Sequence, residues 1–386
     1  MRKVLRIALT VLVVLIGVAG AAALWKREEI TRLLAVNHLF DADRIVANFS
    51  HMDGLFFHRS LDRGTGPVSA LPSGPPETLS PEARAWVERR AVTGLVILRE
   101  GALVHESYYH GTAPEDLRIS WSMAKSVLSA LFGTLHADGT IPDLDAEVTD
   151  FAPALKGSAY EGATIRDVLT MSSGVAFNED YLDFNSDINR MGRVLALGGS
   201  MDGFAASLKT RDAPPGTRMH YVSIDTHVIG MVIKGATGRD PADLMAERII
   251  APLGLEASPV MLTDGEGTAF VLGGLNLRTR DYARIGQMFL QGGAWNGRQI
   301  VPAPWVAAST AHQAPGGAGY GYQWWVPKDN ALHGNDYLAR GIYGQYIYVN
   351  PAARAVVAVN AADRLFREAG VDDENLAMLR ALAHAP

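Results

Sequence analysis

The apolar positions of the chain fall into three regimes. Residues 7–25 run without a charge between Arg2, Lys3 and Arg6 on one side and Lys26 and Arg27 on the other. As a helix this run would be about 28 Å long, close to the hydrocarbon thickness of a bilayer. Residues 28–79 are mixed, with an amphipathic stretch over 30–39, a Phe56-Phe57 pair and Gly/Pro/Ser-rich text over 64–76. They read as a lead-in arm and linker. Beyond residue 80 the spacing alternates between helix and strand periods. A short helix is expected over 81–90, then two strands over 94–99 and 102–108 split by Glu100-Gly101, a hairpin signal. Helical spacing follows over 127–137, and the stretch from 142 to 259 is mostly helix and loop. Within it, residues 164–171 open like a capped helix that stops at Ser172-Ser173-Gly174. Strand character returns over 320–326, 343–350 and 355–360, before a helix over 374–384. Strands at both ends with helices between predict an α/β (α+β) fold whose sheet is assembled from distant segments.

Composition narrows the function classes. A chain of 386 residues at 48% hydrophobic can bury a large core, and 39 glycines with 19 prolines favour turns over long repeats. The division expected is 1–27 as membrane anchor or signal segment, 28–79 as arm and linker, and 80–386 as the main domain. A formal net charge of −6 without a long basic run offers no footprint for nucleic acid. The absence of cysteine excludes disulfides, thiolate metal sites and cysteine nucleophiles. The eleven histidines are scattered without His-x-x-x-His spacing, so no metal and no cofactor is expected. The basic residues ahead of the 7–25 run predict export, with those residues as a single anchor in a bacterial inner membrane and the main domain in the periplasm. Ala19-Gly20-Ala21 and Ala21-Ala22-Ala23 are small-residue cleavage signals, so a secreted or periplasmic product is the alternative. No obligate protein partner is evident.

The chemistry lies in Ser120-Trp121-Ser122-Met123-Ala124-Lys125-Ser126. Three residues are almost one helical turn, so Ser122 and Lys125 share a face. A serine hydroxyl is a weak nucleophile at neutral pH, and a lysine amine within reach can take its proton if burial lowers the amine's pKa. The tetrapeptide alone is weak evidence, since roughly one match arises by chance in a chain this long. A surface helix bearing both residues is the plain alternative. The apolar text after Lys125 argues for an interior lysine, which needs a paired or functional reason to be there. A second polar element must carry the proton onward to the leaving group. Tyr221-Val222-Ser223 is the candidate, on a loop between Pro214-Pro215-Gly216 and a helix-like run.

These elements, with Leu169-Thr170-Met171-Ser172-Ser173-Gly174, Glu179-Asp180-Tyr181 and Tyr343-Gly344-Gln345, resemble the serine hydrolases of the class C β-lactamase and penicillin-binding group. The likeness runs from about residue 71 to the C-terminus and is greatest to the branch containing 6-aminohexanoate-dimer hydrolase. It implies a β-lactamase/transpeptidase-like fold, an antiparallel sheet flanked by helices plus a mostly helical lobe. It also implies hydrolysis of a small-molecule amide or ester through an acyl-enzyme, with Ser122, Lys125 and Tyr221 catalytic and Ser223 orienting Lys125. The backbone N–H groups of Ser122 and Ile342 would form the oxyanion hole, and Tyr181, Gly341 and Tyr343 are candidates to contact substrate. A literal Tyr-x-Asn at Tyr348-Val349-Asn350 lies on a strand-like run and is rejected as the catalytic tyrosine. The family's third element, Lys-Thr-Gly or His-x-Gly, reads Ala339-Arg340-Gly341 here, and Arg340 could supply positive charge unless strand alternation turns it away. The aromatics of 320–326 read mainly as core. Alternatives are a β-lactamase or D-alanyl-D-alanine carboxypeptidase, and, from another class, a membrane-anchored binding protein of the same fold without turnover.

Overall fold

The computed structural model describes residues 2–384. The two apolar runs flanking Glu100-Gly101 form the expected hairpin, Val92–Arg99 against Ala102–Tyr108. Glu100 and Gly101 both have positive φ, +50° and +83°, which gives a two-residue turn the twist of its flanking strands. Val92–Arg99 also pairs with Ala355–Ala361 from the far end of the chain. Gln345–Asn350 and Tyr337–Gly341 complete a five-stranded antiparallel sheet. The central strands Val92–Arg99 and Ala355–Ala361 read as near-continuous apolar runs because both faces of the sheet are covered there, whereas the edge strand Ala102–Tyr108 carries His105, Glu106 and Ser107. Leu95, Ile97, Val357 and Val359 pack with Trp86 of the helix Pro81–Arg89 and Leu379 of the helix Val371–His384. The alternate positions Val96, Leu98, Val356 and Ala358 join the main core, which includes the helices Met123–Ala137 and Thr279–Leu290.

The middle of the chain is helical as expected. Thr164 and Asp167 form a reciprocal capping box that starts the helix Ile165–Leu169. The segment expected as a strand over 320–326 is instead an irregular loop, joined to the sheet edge by a bridge between Trp325 and Leu338. The reason is Gln323, which takes a left-handed φ of +64° and is almost completely buried. Its side chain donates to Val168 O and Leu169 O and accepts from Thr226 Oγ1, while its carbonyl accepts from Ser126 Oγ. One buried residue thus ties three helices together through its side chain and its carbonyl, and a ladder strand could not supply those bonds.

Residues 28–79 pack against the main body. Leu39, Ile45, Phe49, Met52, Phe56 and Leu61 are buried in the same core as the sheet and the Ser122 helix. His58–Ser60 pairs with Val260–Leu262 in a second, four-stranded sheet. Upstream, the uncharged run lies in the helix Arg2–Trp25, whose described apolar side chains, from Val4 to Trp25, are exposed. The membrane span expected over residues 7–25 is not supported, because among the described residues no helix is long and apolar enough to cross a membrane.

Candidate active site

Ser122 stands at the start of the helix Met123–Ala137, with φ −66° and ψ −2°. The residue before it, Trp121, is held at φ +43°, an uncommon conformation for a bulky side chain and one that concentrates at functional turns. The indole is clamped by Phe40 and Phe49, with ring centroids 5.9 and 5.6 Å away. This turn lifts Ser122 to the junction of two cavities.

Lys125, one turn on, is 1% exposed. Its Nζ donates to Leu272 O at 3.0 Å and to Ser223 Oγ at 3.3 Å, and lies 5.6 Å from the Tyr221 ring centroid. Burial pushes its pKa down to about 7, against the opposing pull of Glu179 and Asp225. The Asp225 carboxyl is itself driven up to about 8 by burial, although it accepts hydrogen bonds from Tyr160 and Ser173, each 2.8 Å long. A neutral amine at Lys125 near neutral pH is what a proton acceptor requires.

The loop bearing Tyr221 is fixed by the Leu169–Gly174 stretch. His220 N donates to Met171 O at 2.8 Å and Gly216 N to Ser172 O at 2.8 Å. Gly174 allows this approach, since a Cβ there would sit 2.1 Å from Ala213 O. Tyr221 stacks on Trp325 at 5.4 Å and 22° and meets Tyr320 edge-on. Its phenol pKa is raised by burial and by Glu179, against hydrogen bonds with Ser122 and Ser223. A phenol shifted in this direction keeps its proton at neutral pH.

Ser122, Lys125, Tyr221 and Ser223 are thus brought into one cluster. Glu179, which the sequence singled out only within a longer matching stretch, joins them: its carboxylate accepts from Ser223 Oγ, from Ser223 N at 3.1 Å and from Tyr181 OH at 2.7 Å. Trp325, read mainly as a core position, is a second site residue missed in the sequence. Its partner Tyr221 lies about a hundred residues away, which no local pattern reports.

At the sheet edge, Gly341 runs so close to the Ser122 turn that a Cβ would lie 2.5 Å from Ser120 O and 3.1 Å from Ser122 N. Ser122 N and Ile342 N have no protein acceptor among the described residues. Gly341→Ala is expected to push the strand away from Ser122, lowering kcat/KM on a p-nitrophenyl ester by at least about tenfold while the thermal midpoint shifts by only a few degrees. Arg340, whose direction strand alternation left open, lines the cleft. Its guanidinium lies 5.5 Å from the Trp325 ring centroid and donates to Asp372 at 2.7 Å. Tyr343, at φ +60°, stacks on Phe40 at 4.7 Å and 14°. His220 lines the same cleft as Arg340, with Asp212 at 3.6 Å. The rejected Tyr348 and Asn350 are buried in the sheet, where Asn350 Nδ2 donates to Tyr348 OH.

Comparison with known proteins matches this architecture. A family model described as beta-lactamase matches residues 83–382. The 6-aminohexanoate-dimer hydrolase of Paenarthrobacter ureafaciens is 28% identical over 298 residues, covering 72% of this chain and 75% of that protein. The structure of a proposed 6-aminohexanoate-dimer hydrolase from Bacillus anthracis superposes with a TM-score of 0.80 at 22% identity, covering 90% of this chain and 95% of its own. A D-stereospecific amidohydrolase from Streptomyces sp. superposes with a TM-score of 0.57 at 20% identity, over 74% of this chain and 94% of its own. With its sheet, helical lobe and motif order in place, the chain belongs to the beta-lactamase family of serine hydrolases.

Proposed function

We propose that this protein hydrolyses a small amide or ester through an acyl-enzyme on Ser122, and the observation that carries this reading is the buried Lys125 amine with a pKa lowered to about 7 beside Ser223 and Tyr221. Ser122 Oγ attacks the carbonyl carbon while its proton passes to Lys125 Nζ. The developing oxyanion is received by Ser122 N–H and Ile342 N–H. As the bond to the leaving group breaks, Tyr221 delivers a proton to the departing oxygen or nitrogen and is reprotonated from Lys125. Water then attacks the ester formed on Ser122, with Lys125 and Tyr221 again moving its proton, and the acid is released. Ser223, bonded to both Lys125 and Glu179, positions the amine.

The relative named for the 6-aminohexanoate dimer supports an amide substrate, and the missing Lys or His beside Gly341 disfavours a β-lactam. The basic residues ahead of the uncharged N-terminal run support an exported enzyme. Incubation with a fluorophosphonate, followed by peptide mass mapping and by turnover of p-nitrophenyl butyrate, a short p-nitroanilide and nitrocefin, tests the reading. One adduct on the Ser122 peptide is expected, with ester and anilide turned over faster than nitrocefin. A folded protein that forms no adduct would sink the enzymatic reading and favour a binding protein of the same fold.

A further inference from the structure

The two cavities that meet at Ser122 differ in chemistry, and Ser122, Tyr181 and Ile342 line both. One, of about 580 Å3, is the more polar, because Tyr221, His220, Arg340, Asp372 and Glu179 line it. The other, of about 340 Å3, is walled by Phe40, Trp121, Leu182, Met191, Phe270 and Tyr343. No Asp or Glu is among the residues lining this second cavity. Its one charged group, Arg193, is occupied by Phe184, donating to the backbone O at 2.7 Å and lying 4.2 Å from the ring centroid.

Resting on the acyl-enzyme reading above, we infer that the apolar cavity is the acyl pocket, that it takes an unbranched hydrocarbon acyl chain, and that the arm residue Phe40 and the helix Asp187–Leu197 set its specificity. The side is assigned by proton delivery. Tyr221 donates to the leaving group and lines only the polar cavity, so the leaving group departs there and the acyl chain lies opposite. The character of the chain follows from burial, since each methylene removed from water favours binding whereas an ammonium would lose its hydration and find no carboxylate. Continuity with Ser122 makes the acyl chain, rather than a separate ligand, the occupant. A 6-aminohexanoyl group is therefore disfavoured relative to a plain hexanoyl group of the same length.

The test uses the full chain and p-nitrophenyl esters from acetyl to octanoyl, with the 6-aminohexanoyl ester as the charged counterpart of hexanoyl. kcat/KM should rise up to about fourfold per methylene from acetyl to hexanoyl, and the 6-aminohexanoyl ester should fall at least about tenfold below hexanoyl. Gly192 lines the pocket and has open space where a Cβ would sit, so a side chain can start there, and Gly192→Phe is expected to fill the cavity. The hexanoyl-to-acetyl ratio should drop at least about tenfold in that variant. Leu182, 80% exposed at the mouth, provides a variant that spares the core. Leu182→Asp should raise the 6-aminohexanoyl-to-hexanoyl ratio several-fold by supplying the missing carboxylate. A flat chain-length profile, or equal turnover of hexanoyl and 6-aminohexanoyl esters, with hydrolysis still dependent on Ser122, would overturn the pocket assignment and leave the acyl-enzyme reading standing. No Ser122-dependent hydrolysis and no fluorophosphonate adduct would overturn both.

Discussion

Ser122→Ala is expected to lower kcat/KM on p-nitrophenyl butyrate by at least about 10⁴-fold and to remove all covalent labelling, with little change in the thermal midpoint. The size follows from the kind of interaction lost. A nucleophile contributes a bond formed only on the reaction path, and its removal leaves the backbone donors and the cavity walls to produce whatever rate remains. Stability should barely move, because Ser122 is half-buried at a helix start and its side chain makes no cap bond to the helix. Stopped assays on the purified variant, with circular dichroism melts beside the wild type, read both quantities. Retention of more than about 1% of wild-type turnover, free of contaminating hydrolase, would mean that another group attacks the carbonyl.

The second large effect is expected at Lys125. Lys125→Met should reduce kcat/KM by about 10³-fold or more, and the Ser122→Ala/Lys125→Met double variant should be little worse than Ser122→Ala, because residues that act as one unit are not additive. In the proposed mechanism the amine accepts a proton only when neutral, so kcat/KM should rise with pH through about 7 and level off above it. Glu179 holds the Lys125 pKa up, hence Glu179→Gln should move this acid limb to lower pH. The stability consequence has a definite sign. Between about 7 and the ordinary lysine value of 10.5, the unfolded chain binds a proton that the folded chain does not, so burying this lysine costs progressively more stability as pH falls through that window. Below it the cost is constant. Lys125→Met should therefore melt higher than wild type at pH 7 while being nearly inactive, with the gap narrowing towards pH 10. A variant that melts lower at pH 7 would contradict a neutral, desolvated amine.

Glu179 and Trp325 show where sequence reading ends. Both carry features that periodicity and composition see, an acidic residue on a loop and an aromatic in an apolar run, but nothing local joins either to Ser122. Glu179 reaches Ser223 across 44 positions. Trp325 reaches Tyr221 because buried Gln323 bends the chain out of the expected strand.

By itself the sequence determined the elements whose causes are local. The hairpin follows from Glu100-Gly101, the helix at 165 from its Thr164/Asp167 box, and the shared face of Ser122 and Lys125 from 3.6-residue geometry. The order of the motifs was enough to point to the family. Tertiary structure alone decided the quantities that depend on groups distant in the chain. Burial by surrounding helices lowers the Lys125 pKa. The approach of Gly341 to Ser122 depends on strand pairing between residues hundreds of positions apart. The arm residues 28–57 line one cavity with Phe40 and Phe56 because their apolar side chains are buried against the main body. Desolvation, charge proximity and cavity shape are sums over neighbours in space, and the sequence orders neighbours only along the chain.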